Sequence, residues 1–348
     1  MGTEIYKTLL EDLNKGEEVA LITKYNLETK EIEKKLYKLD ELDKENLEYV
    51  DKAIKKNLIA NIKINENESV LAEVFKREHR LIVFGAGHVG YHLCHFASKV
   101  GFNVTVVDDR PYFANKEKFG DDINVICNTF ENAFKILDIH KEDYVVIVTR
   151  GHKHDKFCLE KILSLDELNY IGMIGSKRRV KIMKEELIEE GYLKEKIENI
   201  YSPIGLNIGA VTPEEIAISI LAELISVKRI GKLAAKNEKI KVNNSCELNK
   251  DVLEILAQNK NDKISLVTVI STKGSTPRKS GSKMIVYDSG KIIGTIGGGC
   301  AEAKIITDAA YMAGSKNLKI ETIDMTGEAA EEEGMVCGGM MTVLIEGI

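Results

Sequence analysis

Leu81-Ile82-Val83-Phe84-Gly85-Ala86-Gly87-His88-Val89-Gly90 is the stretch that decides the fold of this chain. Four apolar residues in a row read as a buried strand. The G-x-G-x-x-G that follows opens a helical stretch to Val100. Such a turn needs its first glycine for tightness and its second so that a phosphate can approach the backbone. The third lets helix and strand lie close together. Val104-Thr105-Val106-Val107 is a second strand and ends on Asp108-Asp109, so an acid stands 23 residues after Gly85. From there Asp108 could accept a hydrogen bond from a ribose hydroxyl, and the neighbouring Arg110 leaves NAD and NADP both open.

Working outward, Tyr144 to Thr149 and Ile171 to Gly175 are further continuous apolar strands, with helical stretches between them. Strands of that kind alternating with helices imply a parallel sheet covered on both faces. Thr212-Pro213-Glu214-Glu215 has every signal of a helix start: an N-cap hydroxyl, Pro at the first position and acids in the first turn. Residues 228–250, with seven basic and two acidic residues, read as a solvated linker.

The flanks are of another kind. Glu28 to Asn57 lacks Gly and Pro and predicts a helix pair, or a helix with strands. Val19-Ala20-Leu21-Ile22-Thr23 resembles Ile264-Ser265-Leu266-Val267-Thr268, each after a helix. Ser69-Val70-Leu71-Ala72-Glu73 resembles Thr342-Val343-Leu344-Ile345-Glu346, each closing its unit. From Thr23 to Ser69 the first copy advances 46 positions, against 74 from Thr268 to Thr342 in the second. What it lacks is the Gly-rich part. The reading is a degenerate copy that keeps the scaffold strands and has lost a site.

The 348 residues carry a formal net charge of −6, with 44% hydrophobic and 30% charged residues. That is ordinary for a soluble globular protein of two or three domains. No basic stripe marks a nucleic-acid partner. No apolar run approaches the roughly 18 residues that span a bilayer, and the N-terminus does not read as a secretory signal. The six cysteines are scattered without Cys-x-x-Cys spacing, which fits reduced thiols in a cytoplasmic protein.

Four further stretches carry chemistry. Thr149-Arg150-Gly151-His152-Lys153-His154-Asp155 lies at a strand's carboxyl end, where open α/β sheets place ligands. Arg150 and His152 read as polar contacts to a ligand there; His-x-His in a loop need not converge on a metal, and none is assigned. Ser202 to Ala210 offers glycines ahead of the helix at Thr212. Gly274-Ser275-Thr276-Pro277-Arg278 combines hydroxyls, a rigid turn and a guanidinium shaped to grip a phosphate. Thr295 to Glu302 contains Gly297, Gly298 and Gly299 before a helix, so that backbone N–H groups are open to an anion. Cys300 then sits near a positive helix end, which favours the thiolate. Cys337 stands beside Gly338 and Gly339 as a second candidate thiol.

As a set these motifs resemble the XdhC/CoxI family, the xanthine dehydrogenase accessory proteins. The resemblance rests on residues 84–90, 107–111, 149–155, 170–178, 202–210, 274–278, 294–302 and 337–339. It implies an α/β fold: a Rossmann-like doubly wound parallel sheet flanked by a degenerate N-terminal and an intact C-terminal α+β domain of the XdhC/CoxI type. The corresponding boundaries are 1–77, 78–228, a linker over 229–249, and 250–348. It also implies a chaperone that binds molybdenum cofactor, assists its sulfuration by a cysteine desulfurase, and helps insert it into a xanthine dehydrogenase-type molybdoenzyme. In that role Ser275, Arg278 and Gly297 to Gly299 suit the molybdopterin phosphate, and Cys300 and Cys337 suit its sulfur chemistry. Gly85, Gly87, His88, Gly90 and Asp108, with Arg150 and His152, form the nucleotide candidate set, for NAD or NADP. The alternatives are an NAD(P)-dependent oxidoreductase and a nucleotide-sensing regulator. The domain order departs from the common family layout, in which the cysteine-bearing unit precedes the Rossmann-like domain, so the sites could meet within one chain or across a homodimer.

Overall fold

A computed structural model describes residues 2–76, 79–165, 167–231, 248–325 and 338–348. The chain divides into two compact units, Met1–Arg77 together with Asn244–Ile348, and Glu78–Asn243. The expected α/β fold is present, with one parallel and two antiparallel sheets.

The N-terminal half of the first unit runs α1 (Gly2–Asn14), β1 (Val19–Asn26), β2 (Ile32–Lys38), α2 (Lys44–Lys55), β3 (Ile59–Lys63) and β4 (Glu68–Phe75). The region Glu28 to Asn57 is thus a strand plus a helix. Its four strands lie in the order β2-β1-β4-β3.

The second unit is β5 (Arg80–Phe84), α3 (His88–Lys99), β6 (Asn103–Asp108), α4 (Lys116–Phe119), β7 (Asn124–Cys127), α5 (Phe130–Ile136), β8 (Tyr144–Ile147), α6 (His152–Leu163), β9 (Tyr170–Met173), α7 (Lys177–Glu189), α8 (Lys194–Glu198) and α9 (Pro213–Ile230). All strand pairs are parallel, in the order β7-β6-β5-β8-β9. The order reverses between β5 and β8, so this is a doubly wound sheet with its crevice at their carboxyl ends. Two apolar clusters cover its faces, one built on Leu81, Val83 and Leu93 and the other on Ile82, Phe84 and Leu159. Each such buried Leu or Ile contributes roughly 1.5–3 kcal/mol. The start of α9 is as the sequence predicts: Thr212 caps, Pro213 leads, and Glu215 completes a capping box. The short edge strand β7 has no sequence signal, because only Val125 and Ile126 of its four residues are strong strand formers.

The C-terminal half of the first unit runs α10 (Lys250–Gln258), β10 (Ile264–Gly274), β11 (Lys283–Tyr287), β12 (Ile292–Gly294), α11 (Gly299–Met312), β13 (Leu318–Asp324) and β14 (Gly339–Gly347). Its sheet order is β12-β11-β10-β14-β13. Without the short β12, this is the topology of the N-terminal half. The register agrees as well. Thr23 stands opposite Leu71, and Thr268 opposite Leu344. Leu21 stands opposite Glu73, and Leu266 opposite Glu346. The internal repeat read from sequence is therefore a structural repeat.

The two copies are joined by helices α1 and α10, which share one apolar cluster through Tyr6, Leu9, Leu253 and Leu256. They are also joined by two exchanged ion pairs. Lys34 on β2 reaches Glu346 on β14 at 2.8 Å and Thr23 at 3.3 Å. Lys283 on β11 reaches Glu73 on β4 at 2.6 Å and Thr268 at 3.2 Å. Lys34 corresponds to Lys283 and Glu73 to Glu346, so each copy neutralises the charge that the other buries.

Candidate functional sites

In the C-terminal half three of the sequence motifs meet at one end of the sheet. Gly274 at the end of β10 pairs with Gly339 at the start of β14. A Cβ on Gly339 would fall 2.3 Å from the carbonyl oxygen of Ser275, so only glycine fits. Pro277 rests on Gly297, where φ is +145° and a Cβ would lie 2.8 Å from the Pro277 Cβ. The turn into α11 is held from below by Glu302, which is buried. Its carboxylate accepts from Thr295 Oγ1 at 3.1 Å and from the N–H of Ile296 at 3.3 Å. Thr295 Oγ1 in turn accepts from the N–H of Gly297 at 3.1 Å. Thr276 donates to the carbonyl of Arg278 at 2.9 Å, which fixes the preceding loop.

What this arrangement leaves open faces solvent. Ser275, Arg278 and Gly298 are exposed. Gly298 is the N-cap of α11 and, having no side chain, makes no side-chain cap bond to the start of that helix. An exposed guanidinium and an uncapped positive helix end beside a glycine cradle together suit a phosphate. Cys300 is the second residue of α11. Cys337 lies outside the described residues. The foot of the 275–282 loop is pinned by Asn249, whose amide donates to the carbonyl of Gly281 at 3.2 Å and accepts from the N–H of Lys283 at 3.3 Å. Sequence reasoning passed over Glu302 and Asn249 as site supports. Glu302 was visible inside the glycine motif, seven residues after Thr295; Asn249 carried no local signal.

The second candidate site belongs to the Rossmann-like unit. Gly85 has φ +116°, and a Cβ there would strike the Val148 carbonyl at 2.3 Å. A Cβ on Gly90 would strike the Gly85 carbonyl at 1.9 Å. Gly87 and Gly151 are the N-caps of α3 and α6; neither makes a side-chain cap bond, and a Cβ on either would meet nothing within 4 Å. Two uncapped helix ends thus flank the reversal between β5 and β8. His88 and His152 are the first residues of these helices.

Several of the charged groups there are held by neighbours. Asp108, which is buried, accepts from the N–H of Ala86 at 2.9 Å and that of Arg110 at 3.1 Å. It also accepts from Arg110 Nε and Nη2, both at 2.8 Å. Arg150 grips Asp109 through two bonds of 2.5 and 2.9 Å, and these hold the Asp109 carboxyl below its ordinary range. Asp155 is buried, accepts from Thr149 at 2.5 Å and from Arg179 Nη2 at 2.6 Å. Burial pushes its carboxyl up, against the pull of those partners. Arg179 Nε also donates to His152 Nδ1 at 3.3 Å, which places the hydrogen of the neutral ring on Nε2. Among the described residues no group of three or more His, Cys, Asp or Glu side chains could hold a metal ion. The Ser202 to Ala210 stretch is only partly open. Gly205 donates to the buried Glu223 at 3.0 Å, while Gly209 has open space around it.

Two family models match the chain at these two places. Residues 81–224 match the XdhC Rossmann domain, and residues 257–324 match the XdhC and CoxI family. The chain belongs to the XdhC/CoxI family. This family member is 35% identical over 161 residues to the Escherichia coli (strain K12) protein named "Uncharacterized protein YqeB", a match covering 46% of this chain and 29% of that protein. It is 34% identical over 150 residues to a Bacillus subtilis (strain 168) protein named as a probable xanthine dehydrogenase subunit, covering 43% of each. The matches span less than half the length of these curated relatives. Among solved structures, a crystal structure of a xanthine dehydrogenase from Bacillus halodurans is 31% identical, covers 66% of each chain and has a TM-score of 0.49. Among the described residues no helix of this XdhC/CoxI protein is long and apolar enough to cross a membrane.

Proposed function

We propose that this chain is an accessory protein of a xanthine dehydrogenase-type molybdenum hydroxylase, carrying molybdenum cofactor as cargo and assisting its sulfuration and insertion. Membership of the XdhC/CoxI family and the name of the Bacillus subtilis relative support an accessory role. The observation that carries the finer reading is the meeting of the 274–278, 297–299 and 338–339 segments around an exposed Arg278 and an uncapped helix end. That cradle fits the cofactor's phosphate: Arg278, Ser275 and the N–H groups at the start of α11 would hold it. Cys300, one residue beyond the cradle, would offer a soft ligand to the cofactor's sulfur and molybdenum. The role calls for a cysteine desulfurase as sulfur source and a molybdoenzyme as recipient.

The test is cofactor capture. The purified protein is mixed with freshly released molybdenum cofactor and gel-filtered, and molybdenum and pterin are assayed in the protein peak. Near-stoichiometric retention is expected, falling at least about tenfold in Arg278→Ala and in Cys300→Ala. Absence of retention by the folded wild-type protein would overturn the reading.

A second ligand, a nicotinamide dinucleotide, belongs to the Rossmann-like unit in this reading. The Gly85–Gly90 turn and the two uncapped glycine N-caps at the sheet reversal favour it.

A further inference from the structure

We infer that the crevice of the Rossmann-like unit selects a dinucleotide bearing a 2′-phosphate over one with a free ribose diol, through Arg110. The inference rests on the reading that this crevice takes a dinucleotide, and it names which one.

The acid at the end of the second strand is the group that would accept a ribose hydroxyl. An ionised carboxylate has about four lone-pair sites. In Asp108 four donors use them: the backbone N–H of Ala86, the backbone N–H of Arg110, and Nε and Nη2 of Arg110. The carboxylate is also 1% exposed. A ribose diol would have to displace a bidentate guanidinium to bind it, exchanging a fork of two N–H bonds from a cation for bonds from a neutral donor. The next acid, Asp109, offers no substitute, since Arg150 holds both of its oxygens.

The same corner is built for an anion. Nη1 of Arg110 lies outside the fork on Asp108, and the guanidinium carbon sits 4.0 Å from the ring centre of Phe113. Lys118 Nζ lies 3.8 Å from the ring centre of Tyr112 and 4.9 Å from that of Phe113. Asp108 pairs with Arg110 and Asp109 with Arg150, while Lys118 brings a further cation to the Tyr112 and Phe113 rings. Tyr112, 74% exposed, adds an aromatic face of the kind on which a base stacks. Sequence alone left the two dinucleotides open; the filled carboxylate decides between them.

The experiment titrates the full-length protein with NAD and with NADP by calorimetry, repeated for Arg110→Ala and Lys118→Ala. In the wild type NADP is expected to bind on the order of tenfold tighter than NAD. Arg110→Ala should move the two affinities in opposite directions: NADP weakens, while NAD tightens as Asp108 is released. Lys118→Ala lies away from the buried carboxylate, so its fold is secure; it should weaken NADP about threefold to tenfold and leave NAD unchanged. NAD binding as tightly as NADP to the wild type would overturn the inference while sparing the dinucleotide reading. Binding of neither would overturn both.

Discussion

The short β12 aside, residues 2–76 and the described residues from 248 onward fold into the same arrangement of helices and strands, yet the same end of the sheet is finished differently in the two. In the N-terminal copy β1 passes to β2 through a turn closed by Asn26, whose side chain accepts from the N–H groups of Glu28 and Thr29 at 2.9 and 3.0 Å. The helix that follows is capped by Asp43, which accepts from the N–H of Asn46 at 2.9 Å. In the C-terminal copy the corresponding connection is the 275–282 loop with Arg278, and the corresponding helix starts on a bare glycine. One copy caps that helix with a side chain; the other has no side-chain cap at its N-cap. The residues shared between the copies, Thr23 with Thr268, Lys34 with Lys283 and Glu73 with Glu346, all face the join. The duplication has kept what binds the halves together and let the site survive in one of them.

The comparison breaks most visibly at the join. Lys283→Met leaves Glu73 buried without its partner, and a loss of about 3–5 kcal/mol is expected in chemical denaturation. Lys34→Met should cost less, because its ammonium side chain is 14% exposed against 3% for Lys283. The exchanged double variant Lys283→Glu with Glu73→Lys should recover most of the loss. If Lys34→Met proved the costlier, the two pairs would not be equivalent devices.

The site end should respond next. Gly297→Ala forces a side chain against Pro277 at a φ that suits glycine, a strain of roughly 1–3 kcal/mol. Retention of molybdenum cofactor is expected to fall by an order of magnitude or more, because the 274–278 segment must move. The smallest effect belongs to the closed copy. Asp43→Ala removes the α2 cap, with a fall in Tm of about 2–4 °C and no change in cofactor retention. The backbone N–H of Asn46 holds the Asp43 carboxyl below its ordinary value of 3.8. Its folded pKa is the lower one, so the cap's contribution is full above the unfolded value and is lost as pH falls through the folded one. The Tm difference between wild type and Asp43→Ala should therefore shrink in acid, as thermal scans across that range would show.

The Rossmann-like sheet was legible because each main strand is a short apolar run next to a glycine or an acid that only one topology uses. The repeat was legible too, since Val19–Thr23 and Ile264–Thr268 keep both pattern and register. The candidate sites were legible as motifs but not as geometry. Nothing in the order of residues says that Pro277 lies on Gly297, since 20 positions separate them. Nor does it say that Arg110 would fill the carboxylate of Asp108; an acid after the second strand looks the same whether it is open or occupied. The exchange of Lys34 and Lys283 between copies was equally hidden, because the lysines of a Lys-rich stretch look alike until a partner buries one of them.

The crossed pairs also set a timetable. Glu73 and Lys283 are 210 residues apart in sequence, with the whole Rossmann-like unit between them. At ordinary rates of synthesis the ribosome needs about 10–40 s to travel that distance. For that interval the N-terminal copy exists with its inward-facing charges and apolar face uncovered, while the middle unit is free to fold. The N-terminal copy is thus made well before the strand that completes it, and its buried charges are neutralised only when the later copy folds against it.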